Sequence, residues 1–158
     1  MKIKKTMKKI LSLIALTVVV ATGCSTAQKT ASKEANDDVS FTYTAVTRGT
    51  NNKIVVKEGT IETSQSRLGD KPVTRTLTDA EWAAVKDAYS KVTVKDDELG
   101  AIVPPSKKHQ FDGALIANLI VTHGNKEFNT SAFDHGNPPT EIKPLVDKII
   151  ALSDLDKK

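Results

Sequence analysis

Residues 114–133, "ALIANLIVTHGNKEFNTSAF", carry the clearest β-hairpin pattern of the chain. Two apolar-rich runs flank Gly124-Asn125, a pair that suits a two-residue hairpin turn. Counting outward from that turn predicts three facing pairs on one side of the hairpin: Val121 with Phe128, Leu119 with Thr130, and Ala117 with Ala132. Most of these side chains are apolar, so the pattern predicts a strand pair that turns one face toward a core.

The opposite face of this hairpin carries both polar and apolar side chains: Asn118, Asn129, Ser131, Ile116, Ile120 and Phe133. We therefore expect that face to be partly covered. His123 precedes the turn, and we expect it to be a solvated loop residue.

Further strands are indicated upstream of the hairpin. Residues 39–47 alternate apolar and polar side chains, which predicts a half-buried strand. Residues 54–56 and 61–63 flank Glu58-Gly59, and a turn there would set Val56 opposite Ile61. A short strand is expected at residues 73–76.

The first helix has a well-marked start at Thr78, because Glu81 follows three residues later and the pair forms a capping box. Leu77 and Trp82 can pack as a hydrophobic staple across this start. Trp82, Val85 and Tyr89 recur at helical spacing. Trp82 is open to two interpretations, a ligand platform or a core residue, and its spacing favours the core.

A second helix is expected at the C-terminal end, where Ile142, Leu145, Val146, Ile149, Ile150 and Leu152 or Leu155 recur at helical spacing. Pro144 allows two alternatives, since proline fits only the first turn of a helix. Either the helix begins near Lys143, or a short turn precedes it and bends there. The elements together predict an α+β domain: a mostly antiparallel sheet of about five to six strands with two helices packed against it.

The N-terminal residues have the order of a secretory signal peptide. Five lysines precede an apolar run at residues 10–20, and small residues follow it. The run is shorter than the roughly 20 residues that a membrane-spanning helix needs. We therefore predict that residues 1–23 are a signal peptide.

Ala21-Thr22-Gly23-Cys24 resembles the lipobox of bacterial lipoproteins, with Ala21 where that family usually has leucine. The resemblance implies cleavage before Cys24 and a covalent lipid such as palmitate on its thiol. It also implies an exported protein that is anchored in a membrane through Cys24. Ser25 resembles the outer-membrane sorting class, which implies the periplasmic side of the outer membrane in a cell with two membranes. The alternative for Cys24 is a buried free thiol.

Residues 24–38 follow as a lipid-anchored flexible tether, because residues 25–38 hold no large apolar side chain. Residues 39–158 are long enough for a single domain with its own core.

The chain has 23 basic and 19 acidic residues; without the five lysines before Cys24 the balance is 18 against 19, a net charge of −1. No basic surface remains that would argue for nucleic acid.

Two histidines and two aspartates form the candidate metal ligands: His109, Asp112, Asp134 and His135. The hairpin register brings residues 134–135 beside residues 112–114, and such side chains suit zinc or a related ion. Their spacing matches no metal motif, and Asp-Gly and His-Gly pairs are ordinary turn chemistry. We therefore predict no metal site.

Catalytic motifs are absent from the sequence: it has no Gly-x-Ser-x-Gly elbow, no His-Glu-x-x-His and no phosphate-binding loop. The sequence predicts a protein that is not an enzyme and has no cofactor apart from the covalent lipid. A small hydrolase or a metal-binding protein remains as an alternative hypothesis.

The connection from Lys95 to Gln110 is long for a compact domain, and long ordered loops often carry function. Its apolar residues Ile102, Val103, Pro104 and Pro105 are the candidate partner-binding residues. They can face a protein partner, or they can cover an open end of the core; the second role is slightly preferred.

The helix "LTDAEWAAVKDAY", residues 77–89, and the run from Asp112 to Leu152 with Pro-Leu-Val-Asp at residues 144–147 resemble emfourin-like domains in their order of elements. These domains are small bacterial inhibitors of thermolysin-type metalloproteases, and small lipoproteins share such features. The resemblance covers most of residues 41–152. It implies an α+β fold and a protein-binding role, and it carries no inhibitory residue over to this chain. We expect a membrane-anchored protein with a non-enzymatic binding or accessory role; the alternative is a metalloprotease inhibitor.

Overall fold

The computed structural model of the chain describes residues 38–66, 71–153 and 155. The predicted signal peptide, Cys24 and the predicted tether as far as residue 37 lie outside the described residues. Within the described ranges, no helix is long and apolar enough to cross a membrane.

The central strand β1, Val39–Thr47, turns every second side chain into the core. Phe41, Tyr43 and Ala45 are fully buried, whereas Thr42 and Thr44 between them are partly exposed. Side chains of a strand alternate between its two faces, so one apolar set covers one face of the sheet. The predicted half-buried strand is confirmed.

Among the described residues, seven strands make up the sheet, and all of their pairs are antiparallel. The order is β4-β3-β2-β1-β5-β6, and β7 also pairs with β5. The strands besides β1 are β2 Thr50–Lys57, β3 Thr60–Ser66, β4 Val73–Thr76, β5 Ile116–His123, β6 Lys126–Asn129 and β7 Phe133–Asp134. The count exceeds the predicted five to six because the last predicted strand is broken into β6 and β7.

Helix α1, Asp79–Ser90, begins at the predicted capping box. The amide of Thr78 donates to Glu81 Oε2 at 2.8 Å, and the amide of Glu81 donates to Thr78 Oγ1 at 3.2 Å. These bonds satisfy amides that have no partner inside the helix. Trp82 and Val85 are buried on the side of α1 that faces the sheet, so the core role predicted for Trp82 is confirmed.

Helix α2, Lys143–Leu152, has Pro144 in its first turn, where a missing amide hydrogen costs no helical bond. The helix therefore begins at Lys143, as in the first alternative, and a turn at residues 140–142 precedes it, as in the second. Leu145, Val146 and Ile149 are fully buried in the same core as β1 and α1.

The core joins both helices to one face of the sheet. The ring of Phe41 lies 6.3 Å from that of Trp82 and 5.0 Å from that of Tyr89, centroid to centroid. Burial of one such aromatic or aliphatic side chain contributes about 1.5–3 kcal/mol. The predicted α+β class, a mostly antiparallel sheet with two helices against it, is confirmed.

The hairpin register is right near the turn and wrong beyond it. Val121 faces Phe128 as predicted, but Ala117 faces Phe133 instead of Ala132. At the break, the amide of Thr130 donates to the Leu119 carbonyl at 3.0 Å, and the amide of Leu119 donates to Thr130 Oγ1 at 3.0 Å. One residue is thereby inserted, as in a β-bulge, and Phe133 moves to the buried face.

Candidate functional site

The long loop, residues 95–110, lies between α1 and β5. It contains the short 3₁₀ helix Asp96–Ala101 and all but the last residue of a second one, Lys108–Phe111. Such short turns give a loop local order but too few hydrogen bonds to hold it in place. Its position therefore depends on contacts with the sheet and with α1. Polar side chains provide these contacts at both ends.

The first of these contacts is the Asp96 cluster, which consists of Tyr89 on α1, Asp96 in the loop and His123 at the end of β5. The Tyr89 hydroxyl donates to the two Asp96 oxygens at 2.8 and 2.7 Å. His123 Nε2 lies 2.8 Å from Asp96 Oδ2. A carboxylate only accepts, so Nε2 carries the hydrogen. The prediction of a solvated loop residue at His123 is wrong, because its ring is partly buried against this carboxylate.

Tyr89 acts as a neutral donor in the Asp96 cluster. Burial of the hydroxyl, followed by its hydrogen bond to Asp96 and the charge of that carboxylate, raises the pKa of Tyr89 well above its ordinary value of 10.0. A phenolate next to a carboxylate would be unfavourable. The Tyr89 hydroxyl therefore keeps its proton at neutral pH.

The second contact is the Asp134 cluster, which consists of Ser106, Lys108, His109 and Asp134. The carboxylate of Asp134 lies on the short strand β7 and accepts a hydrogen bond from the Ser106 hydroxyl. It also accepts from the amide of Lys108 at 2.9 Å, from the amide of His109 at 2.8 Å and from His109 Nδ1 at 2.6 Å. One carboxylate thus fixes residues 106–109 of the long loop to the sheet.

The ionised form of Asp134 is the one that this cluster stabilises. Its side chain is only 2% exposed, and burial alone would raise its pKa. The hydrogen bonds from Ser106 and from the amides of His109 and Lys108 outweigh burial and hold the pKa of Asp134 well below 3.8, its usual value. His109 Nδ1 must donate to this carboxylate, which leaves Nε2 as the remaining nitrogen of the ring.

The middle of the long loop is attached by a third set of contacts. The Ser131 hydroxyl donates to the carbonyl of Gly100 at 2.6 Å. Leu99 is fully buried and Ile102 is 7% exposed, so both side chains belong to the core. The segment between Gly100 and Ser106 is therefore supported on both sides.

The apolar tip, residues 102–105, divides the two roles that the sequence left open. Ile102 covers the core, as just described. Val103 is 78% exposed and Pro105 is exposed as well. Phe111, one residue beyond the long loop, is 84% exposed. Val103 and Phe111 are the most exposed of the few large apolar side chains on the described surface.

The four candidate metal ligands do not form one ligand set. His109 and Asp134 are in contact, but His135 Nδ1 lies 2.6 Å from the Tyr43 hydroxyl. Asp112 has a left-handed backbone, φ 56°, and ends the second 3₁₀ helix. In the described part of the chain, no group of three or more His, Cys, Asp or Glu side chains is placed to hold a metal ion.

Sequence reasoning missed the roles of Tyr89, Asp96 and Ser106. Tyr89 was assigned to the helix face, and neither Asp96 nor Ser106 was singled out. The bond between Asp96 and His123 joins residues 27 apart, and that between Ser106 and Asp134 joins residues 28 apart. No local spacing signals contacts over such separations. The one signal available was the hairpin register, which placed Asp134 near residue 112 and so close to the end of the loop.

No protein-family model matches the chain, and no curated protein does. The geometry of the long loop is therefore the basis for a functional proposal.

Proposed function

We propose that this chain is a lipid-anchored protein of the cell envelope with a non-enzymatic role, and that its domain binds a protein partner through the apolar tip and Phe111. The observation that carries the proposal is the exposure of Val103, 78%, on a loop that hydrogen bonds hold in place, and of Phe111, 84%, directly after that loop. Exposed apolar side chains of this size favour burial against another protein.

The order of the long loop supports the same proposal. Binding costs conformational entropy wherever a loop must become ordered, about 0.5–1.5 kcal/mol for each immobilised side chain. Here the bonds to Asp134 and from Ser131 already fix the backbone on both sides of the tip. A partner would therefore gain most of the free energy of apolar burial without ordering the loop.

The anchoring part of the proposal rests on the lipobox-like residues 21–24. Cys24→Ser removes the thiol that would carry the lipid. We expect this variant to leave the membrane fraction or to retain its signal peptide, whereas Ser25→Ala, the matched control, stays lipid-modified. Membrane attachment and processing that are both unchanged in Cys24→Ser would refute the anchor.

The binding part is tested by photocrosslinking in the cells that make the protein. The photoreactive residue p-benzoylphenylalanine replaces Val103 or Phe111 in two samples and Lys57, exposed at the end of β2, in a control. We expect one discrete crosslinked species from positions 103 and 111 and none from position 57. Equal yields at all three positions, or no adduct at any, would overturn the proposal.

A second candidate function is inhibition of a metalloprotease. The observation that favours it is Val103, exposed and followed by Pro104-Pro105, on a loop supported from both sides. The peptide bonds of a rigid, proline-flanked segment resist cleavage because proline restricts the backbone. Such a segment can present an apolar side chain to a protease without being cut. Thermolysin titrated with the domain should then lose activity stoichiometrically, and Val103→Asp should abolish the effect. A tight inhibitor should block nearly all of the enzyme once it is in about tenfold molar excess. Full thermolysin activity at that excess of the domain would remove this candidate.

A further inference from the structure

We propose, as a step that rests on the protein-binding function above, that the partner recognises the apolar tip as a polyproline II segment. The binding surface of the partner would be a groove that is lined with aromatic side chains and bordered by carboxylates. The backbone of the tip, the side chains that it exposes and the charges beside it each support this class of partner.

The backbone at the start of the tip lies in the polyproline II region. Ile102 has φ −62° and ψ 132°, close to the values of that helix. Val103 and Pro104 each precede a proline, which restricts them to extended or polyproline II angles. The bonds to Pro104 and Pro105 are trans. We therefore infer that residues 102–104 form one extended turn, which ends at the bend of the chain at Pro105.

The side chains of the tip are displayed as such recognition requires. A polyproline II helix has three residues per turn, so its side chains point in three directions. Ile102 occupies the direction of the core, which leaves those of Val103 and Pro104 for contacts outside the domain. Val103 is almost fully exposed and Pro104 partly exposed. Aromatic side chains are the usual lining of grooves that accept such ridges.

Charge beside the tip indicates the rim of the groove. Residues 101–111 contain two lysines, Lys107 and Lys108, and no acidic residue. Both lysines are exposed, although the amide of Lys108 is bound to Asp134. Two adjacent cations next to an apolar segment favour a partner with carboxylates at the corresponding position.

The test uses the full-length protein in its own membranes. A protein captured by p-benzoylphenylalanine at position 103 is identified, the crosslinked partner residue is mapped by mass spectrometry, and the purified partner is titrated with domain variants. Pro104→Ala combined with Pro105→Ala keeps the tip apolar but releases the polyproline II restraint. Circular dichroism of each variant confirms that the domain remains folded.

We expect crosslinks to residues beside aromatic side chains in a groove of the partner. We also expect at least about tenfold weaker binding for Val103→Asp and several-fold weaker binding for the double alanine variant. Binding should weaken again in Lys107→Gln with Lys108→Gln and in high salt. Crosslinks to a protease cleft or to a flat surface, or a double alanine variant that binds like the unaltered domain, would overturn the polyproline II inference and leave protein binding intact. An adduct at position 111 but none at position 103 would overturn the polyproline II inference alone, and no adduct at either position would overturn both.

Discussion

The core between sheet and helices and the long loop are held by different kinds of interaction. In the core, Phe41 packs on Trp82 and Tyr89, and many buried apolar side chains each contribute to stability. The middle of the loop shares in that core through Leu99 and Ile102, but its two ends are held by the carboxylates of Asp96 and Asp134, each of which accepts several hydrogen bonds. Damage to the core should therefore unfold the whole domain, whereas loss of one carboxylate should loosen the loop alone.

The largest expected effect comes from the core. Phe41→Ala removes a fully buried ring and leaves a cavity, which should lower the free energy of unfolding by about 3–5 kcal/mol. Urea unfolding followed by circular dichroism measures this loss. Thr44→Val, on the opposite face of the same strand, is the control and should change stability by less than about 0.5 kcal/mol. A Phe41→Ala variant as stable as the control would contradict the packing described above.

A smaller and local effect is expected from Asp134→Asn. An amide can offer only one oxygen to the donors of Ser106, Lys108 and His109, and its own NH₂ group then faces donors. Hydrogen exchange at the amides of Lys108 and His109 should accelerate by about tenfold or more while the core strands remain protected. Asp147→Asn, in an exposed pair with Lys143, is the control and should leave these amides unchanged. Exchange that rises uniformly over the domain would show that the loop and the core are not separable.

Acid should loosen the same contact. The folded-state pKa of Asp134 lies below its usual value, so the stabilisation is present above about pH 3.8 and is lost as the pH falls through the folded-state pKa. The difference in hydrogen exchange of the loop amides between the unaltered protein and Asp134→Asn should therefore be large at about pH 6 and should shrink toward about pH 2. A difference that stays constant with pH would show that the carboxylate charge is not what holds the loop.

The smallest effect is expected at the capping box of α1. Thr78→Ala removes the acceptor for the Glu81 amide and should cost about 1 kcal/mol. Thr78→Ser keeps the hydroxyl oxygen and is the matched control. Thermal unfolding of the two variants should differ; equal melting temperatures would mean that this cap contributes nothing.

The same contrast explains what the sequence allowed us to predict. The core follows from periodicity: alternation identified β1, helical spacing identified Val85 and Ile149, and the capping box located the start of α1. These signals are local, so they survive without knowledge of the fold. The strand pair next to the Gly124-Asn125 turn was right for the same reason.

The errors arose where distant side chains decide the structure. The predicted hairpin register fails from Thr130 onward. There the hydroxyl oxygen of Thr130 accepts a hydrogen bond from the amide of Leu119 in place of a regular strand pairing. His123 was expected in solvent because its carboxylate partner, Asp96, belongs to another element. Of the proposed tip, Ile102 covers the core and Val103 is exposed, a division that depends on how the loop lies on the sheet.

The central claim is that the Asp134 cluster positions the apolar tip for a protein partner. The most direct test places p-benzoylphenylalanine at Val103 in two backgrounds, the unaltered protein and Asp134→Asn, and compares crosslink yield in cells at equal protein levels. Asp134 is buried on β7 and its side chain holds the loop from inside, so we expect the adduct to fall sharply although the tip sequence is unchanged. An adduct of the same partner at the same yield in both backgrounds would contradict it.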